Sequence, residues 1–119
     1  MKRLISHLDF HFEDGCYVLD LPIRYDSPRY FQTVTVPAGF SSDGASGPAT
    51  DIVSISWFVH DMLCDTGHFD NGAICTRMMA ANILYDILKA EGRTVRCWTW
   101  WLATGPWMTF WRGNKLPAR

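Results

Sequence analysis

The sequence predicts an α+β protein, in which a short antiparallel sheet, made of an N-terminal hairpin and a third strand, packs against about three helices. Three observations lead to this prediction. The first third of the chain holds runs rich in β-branched and aromatic residues, the remainder holds apolar residues at helical spacing, and a loop dense in glycine and serine separates the two parts. At 119 residues the length fits one domain, residues 1–119, with a modest core.

The predicted strands lie at the start of the chain. The runs RLISHLDFHF and GCYVLDLPIRY meet at Glu13-Asp14-Gly15, a hairpin turn signal in which glycine can take a positive φ. The segment YFQTVTVPAGF is predicted as a third strand, because Thr33 to Val36 are all β-branched, and Pro37 closes it. The next segment, SSDGASGPAT, is predicted to be a loop.

Two helices are predicted after this loop. The first runs from about Thr50 to Asp65, with Gly67 past its end. The second runs from about Asn71 to Ala90 and is stopped by Gly92. Its apolar residues fall at three- and four-residue steps, which predicts one buried stripe made of Ile74, Met78, Ala81, Leu84 and Leu88.

A third helix is predicted from about Thr94 to Trp111, broken or bent at Gly105-Pro106. Its 15 residues from Cys97 to Trp111 carry no charge and hold five of the six tryptophans. As a helix they would span only about 22 Å, short of the ~30 Å hydrocarbon core of a bilayer. We therefore expect no membrane span. The tryptophans could instead close the core, contact a membrane surface or bind a partner protein, for which Trp107 and Trp111 are the candidate residues.

Charge and cysteine usage narrow the functional classes. With 11 basic and 12 acidic residues the net charge is −1, and no long run of like charge occurs, so no nucleic-acid partner is expected. No C-x-x-C pair is present, which favours free, mostly buried thiols in a reducing cytoplasm over a zinc site or a disulfide framework. The cysteines are Cys16, Cys64, Cys75 and Cys97. No apolar segment follows Lys2 and Arg3, so we expect no secretory signal.

The segment WFVHDMLCDTGHFDNG holds the main candidate site, because it places His60 and Asp61 side by side in an apolar run. On a helix His60 shares a face with Cys64, whereas Asp61 points about 100° away and is not expected to bond the same imidazole. The carboxylate of Asp43, in the preceding loop, is the expected partner of His60, and we expect Ser46 to converge with them. An imidazole held in this way can act as a general base. Asp61 could then bind a divalent cation, the one cofactor that the sequence suggests. The alternative is a structural cluster that pins the loop by hydrogen bonds.

Four blocks of the chain carry a resemblance: VPAGFSSDGASGP, WFVHDMLCDTG, RMMAANILYDIL and GRTVRCWTWWLATGPW. They are similar to the pattern of a small phage- and prophage-borne family of unknown function, with a G-F-x-[ST]-D-x-A-S-x-P loop, a helix bearing His-Asp and a helix bearing A-D-x-x-F. The resemblance covers about residues 36 to 107 and implies a phage gene product without implying a reaction. Asn82 stands where this family usually has Asp, and Cys64 where it usually has an aromatic residue.

Enzymes with an adjacent His and Asp give alternatives. The layout of a Gly-rich loop (Ser41–Gly47), His60-Asp61 and a partner helix is similar to that of the secreted phospholipases A2, but their flanking cysteines and partner acid are missing. A Ser-His-Asp hydrolase built from Ser46, His60 and Asp43 would lack the G-x-S-x-G turn.

Three functional hypotheses remain from the sequence. The first is a bacteriophage structural protein, associated with the tail of the virion, that contacts other phage or host proteins through its Trp-rich end. The second is a hydrolase of the host envelope, phospholipase A2-like or metal-assisted, with His60 as base. The third is a small phage inhibitor of a host factor. All three place the protein in the host cytoplasm, in the virion or in both.

Overall fold

The computed structural model of the protein describes residues 10–42, 55–92 and 95–116. Strands precede helices in this part of the chain, which confirms the predicted α+β class. The strands are β1 (Phe10–Glu13), β2 (Cys16–Leu19), β3 (Ile23–Ser27), β4 (Gln32–Val36) and β5 (Ser41–Ser42). The helices are α1 (Ile55–Thr66), α2 (Arg77–Ala90), α3 (Arg96–Leu102) and α4 (Met108–Arg112), with a π-helical segment, Ala103–Trp107, between the last two.

The strands form two antiparallel sheets, where the sequence had predicted one. The first has the order β1-β2-β5 and the second pairs β3 with β4. Asp14 and Gly15 have φ angles of 54° and 81°, as a two-residue hairpin turn requires, so the predicted hairpin is confirmed. The run GCYVLDLPIRY is divided into β2 and β3 at Asp20–Pro22, because Pro22 has no N–H group to continue a ladder.

The main core lies between the second sheet and helices α1 and α2. Alternate residues of β3 and β4 are buried, as expected for strands with one face on a core. They pack with apolar residues of both helices, and the cluster includes Ile23, Tyr25, Val34, Val36, Ile55, Phe58, Val59, Leu63, Ile83 and Ile87. The first half of α1 is buried on every side, and the helix begins to emerge from the core at His60.

Helix α2 begins six residues later than the sequence predicted. Asn71 starts a turn instead of a helix, because its Oδ1 accepts a hydrogen bond from the Ala73 N–H at 2.9 Å. Thr76 is the N-cap, its side chain accepting from the Met79 N–H. Ile74 is consequently outside the helix and 75% exposed, which corrects its assignment to the buried stripe. Ala81, Leu84 and Leu88 of that stripe are buried.

The C-terminal helix is interrupted at the predicted place. Gly105 and Pro106 lie in the π-helical segment, where the missing N–H of proline is accommodated by the wider turn. Gly105 is buried against α2. In the part of the chain that the structure describes, no helix is long and apolar enough to cross a membrane.

Candidate functional site

His60 lies on α1 at the border between the core and the surface. Its side chain is 11% exposed, so the imidazole is protected without being fully enclosed. Its Nδ1 lies 3.7 Å from Oδ1 of Asp61. The sulfur of Cys64, one helical turn further on, lies 3.7 Å from Nε2 and 3.9 Å from Nδ1. The described structure thus brings an imidazole, a carboxylate and a thiol together.

The contact between Asp61 and His60 is an ion pair at long distance. Adjacent helical residues point about 100° apart, yet the Asp61 carboxylate reaches the imidazole at ion-pair distance. At 3.7 Å the contact is longer than a hydrogen bond, so the interaction is mainly a charge attraction. Asp43 and Ser46, the other residues predicted to converge on His60, lie outside the described residues.

The surroundings of His60 set its protonation. Burial by itself lowers the pKa of the imidazole, because it disfavours the charged form. The interactions with Asp61 and Cys64 act in the opposite direction, and together they raise the pKa of His60 to about 9. The imidazole is therefore predominantly a cation at neutral pH.

Cys64 also belongs to this site, although the sequence analysis predicted no functional role for it. The sequence feature that could have revealed this role is the spacing of four residues between Cys64 and His60, which places both side chains on one helical face. Cys64 is half-buried, as is Cys16, whereas Cys75 and Cys97 are buried. None of the four sulfurs is joined in a disulfide in the described part of the chain.

A divalent cation has no further support in the described structure. Within residues 10–42, 55–92 and 95–116, no three His, Cys, Asp or Glu side chains are grouped so that they could hold a metal ion. Asp70, which lies near His68 in the loop after α1, hydrogen-bonds to strand β4. Its carboxylate accepts from the N–H and hydroxyl of Thr35 at 2.9 and 2.6 Å.

The tryptophans divide between core and surface. Trp57 is buried and meets the edge of Trp100 at a centroid distance of 5.1 Å. Trp107, Phe110 and Trp111 are 59%, 79% and 64% exposed, and we call these three residues the aromatic end surface. The ring of Trp111 contacts both of the others, with centroids 6.0 and 5.3 Å apart. The two tryptophans predicted to bind a partner are thus neighbours in one exposed patch.

Asn82, on α2, forms two hydrogen bonds that are separate from the His60 site. Its Nδ2 donates to the hydroxyl of Tyr30 at 2.8 Å, and its Oδ1 accepts from Nε1 of Trp101 at 2.7 Å. Beside it lies a cavity of about 230 Å³ lined by Arg29, Asn82, Tyr85, Trp98 and Trp101. Asn82 therefore joins the β3–β4 turn to helix α3.

The fold and this site define an α+β protein with a His-Asp-Cys cluster on its first helix and an aromatic patch at its C-terminal end. The chain belongs to the family described as "Protein of unknown function (DUF1353)", whose model matches residues 17–104. No curated protein and no solved structure gives a significant match.

Proposed function

We propose that the protein is a structural component of a bacteriophage particle, associated with the tail, and that it contacts other proteins through the aromatic end surface. The observation that supports this proposal is the exposure of Trp107, Phe110 and Trp111 in one contiguous patch. Large exposed aromatic side chains are unfavourable on a surface that stays in water, and tryptophan is the residue most enriched at binding hot spots. The resemblance of the four sequence blocks to phage-borne proteins supports the phage origin.

The charge around the patch indicates what kind of partner it fits. After Glu91 the chain contains no acidic residue and five basic ones, which are Arg93, Arg96, Arg112, Lys115 and Arg119. Arg112 and Lys115 are exposed and follow the aromatic end surface directly. A partner surface with an apolar centre and an acidic rim would complement both features.

Catalysis by His60 is the alternative, and its protonation argues against the role of general base. A base must be unprotonated when it meets its substrate, whereas the pKa of His60 is raised to about 9. An inhibitor of a host factor would use the same kind of exposed patch. The two roles differ in where the protein is found, because a structural component is present in phage particles and an inhibitor acts in the infected cell.

The test is to purify phage particles, separate tails from heads, and quantify this chain in each fraction by mass spectrometry. We expect it in a fixed ratio to the tail proteins. A chain that is abundant in the infected cell and missing from particles would contradict the proposal and favour the inhibitor.

A paired variant tests the surface itself. Replacing Trp107 and Trp111 together by alanine should remove most of the chain from the particles while leaving the fold intact. Phe31→Ala is the matched control, because Phe31 is 90% exposed and lies on the β3–β4 turn, on a different element. Equal incorporation of both variants would exclude the aromatic end surface as the contact.

A further inference from the structure

We propose that Cys64 is a nucleophilic thiol, activated by His60 and Asp61, which forms mixed disulfides with small disulfide compounds. The proposal concerns a modification site and is independent of the particle role of the aromatic end surface. It rests on the grouping of three side chains of α1: the thiol, the imidazole 3.7 Å from its sulfur, and the carboxylate 3.7 Å from that imidazole.

The chemical role of each group follows from its position. A thiolate is the reactive form of cysteine, and a neighbouring imidazolium stabilises it by charge. The Asp61 carboxylate, 3.7 Å from Nδ1 of His60, stabilises the imidazolium in turn. The raised pKa of His60, about 9, agrees with a protonated imidazole at this place.

Access to the thiol restricts the substrate. Cys64 is half-buried and His60 is 11% exposed, so we expect only a small molecule to reach the sulfur. A low-molecular-weight disulfide fits this limit and is a soft electrophile that thiolates attack.

The reaction is a thiol–disulfide exchange. Cys64 loses its proton to water, because His60 is already an imidazolium, and the thiolate that this cation stabilises attacks one sulfur of the disulfide. A new sulfur–sulfur bond forms while the old one breaks, so the Cys64 sulfur is oxidised and the departing sulfur is reduced. The departing thiolate takes a proton from water and leaves as a thiol, so the His60 imidazolium is unchanged by the exchange.

The mixed disulfide should persist instead of passing to a second cysteine. Cys75 is affected by the charge of Cys64, but it is buried, and burial is the main cause that raises its pKa to about 12. It therefore stays a thiol at neutral pH and cannot act as the attacking thiolate.

The experiment treats the full chain with the small neutral disulfide hydroxyethyl disulfide at neutral pH and follows each cysteine by peptide mass spectrometry. Cys16 is the internal control, because it is also half-buried and free but lies on β2. An ordinary thiol is only a few per cent thiolate at neutral pH, so we expect Cys64 to react about tenfold faster than Cys16.

The same reaction in concentrated urea provides the decisive comparison. Unfolding exposes Cys64 fully and removes its neighbours, so a thiol that was merely accessible would react faster when unfolded. We expect Cys64 to react about fivefold slower in urea than in the folded protein. A rate that is equal or higher in urea would overturn the proposal, whatever the variants show.

His60→Gln and Asp61→Asn test the two positioning residues. Both variants should lower the rate at which Cys64 reacts in the folded protein, His60→Gln by about fivefold and Asp61→Asn by less. The reaction rate of Cys16 should be unchanged. An unchanged Cys64 rate in a folded His60→Gln protein would also overturn the proposal. If His60→Gln does not fold, the comparison between folded and urea-unfolded wild type still decides.

Discussion

The backbone of Gly105 lies so close to Ala81 that a Cβ added at Gly105 would be 2.9 Å from the Ala81 Cβ, below any ordinary contact distance. The sulfur of Met78 would be only 3.3 Å away. This close approach is where the π-helical segment packs on α2, and it determines how near the C-terminal helix can lie to the core.

Gly105→Ala should therefore destabilise the protein by about 1–3 kcal/mol, measured by urea denaturation. The usual gain from replacing a helical glycine by alanine, about 0.5–1 kcal/mol, acts in the opposite direction and is smaller than the clash. Ala81→Gly is the matched partner variant. The double variant should be less destabilised than the sum of the two single ones, and simple additivity would show that the two residues do not contact each other.

The free energy of unfolding should depend on both hydrogen bonds by which Asn82 joins Tyr30 to Trp101. Asn82→Ala leaves Nε1 of Trp101 and the hydroxyl of Tyr30 without this partner, which should cost about 1–3 kcal/mol of unfolding free energy. Asn82→Asp should cost less, because a carboxylate can still accept from Nε1 of Trp101 and can also accept from the Tyr30 hydroxyl once that hydroxyl turns to donate. Equal losses for the two variants would mean that a carboxylate at this position does not replace the hydrogen bonds of the amide.

Trp57 and Trp111 should respond differently to truncation. Trp57 is 5% exposed and packs in a cluster with Leu84, Leu88 and Cys97, so Trp57→Ala should cost about 3–5 kcal/mol. Trp111 is 64% exposed, and Trp111→Ala should change stability by no more than about 0.5 kcal/mol. Thermal unfolding of the two variants checks this contrast. A large loss for Trp111→Ala would assign the ring to the core and remove the main support for a partner contact.

The stability of the protein should fall as the pH rises from 6 to 8.5. His60 has a folded-state pKa of about 9, above the value of 6.5 that an unperturbed imidazole has in an unfolded chain. Its contribution is therefore complete below pH 6.5 and is lost progressively as the pH rises towards 9. The loss integrated over this range is at most about 3 kcal/mol.

Urea denaturation of wild type and His60→Gln across this pH range provides the measurement. Taking the difference between them cancels other groups, such as His11, whose pKa is also raised because Glu13 and Asp20 hydrogen-bond its ring. We expect the difference in unfolding free energy to shrink with rising pH. A constant difference would mean that His60 titrates alike in the folded and unfolded states.

The sequence by itself determined the local structure. The Asp14-Gly15 turn, the strand β4 and the interruption at Gly105-Pro106 depend on residues that are neighbours in the chain, so their patterns were sufficient to predict them. The helical spacing of His60 and Cys64 was visible for the same reason. The α+β class followed from the order of these elements.

The tertiary structure decided what depends on residues distant in the chain. Whether the strands form one sheet or two depends on which edges meet, and local propensity does not specify this. The partners of Asn82 come from positions 30 and 101, and neither is recognisable from its own neighbourhood. Trp57 and Trp111 are the same residue type in similarly apolar segments, yet one is core and the other surface. Burial is decided by which helix face meets the rest of the fold, and only the packed chain determines that.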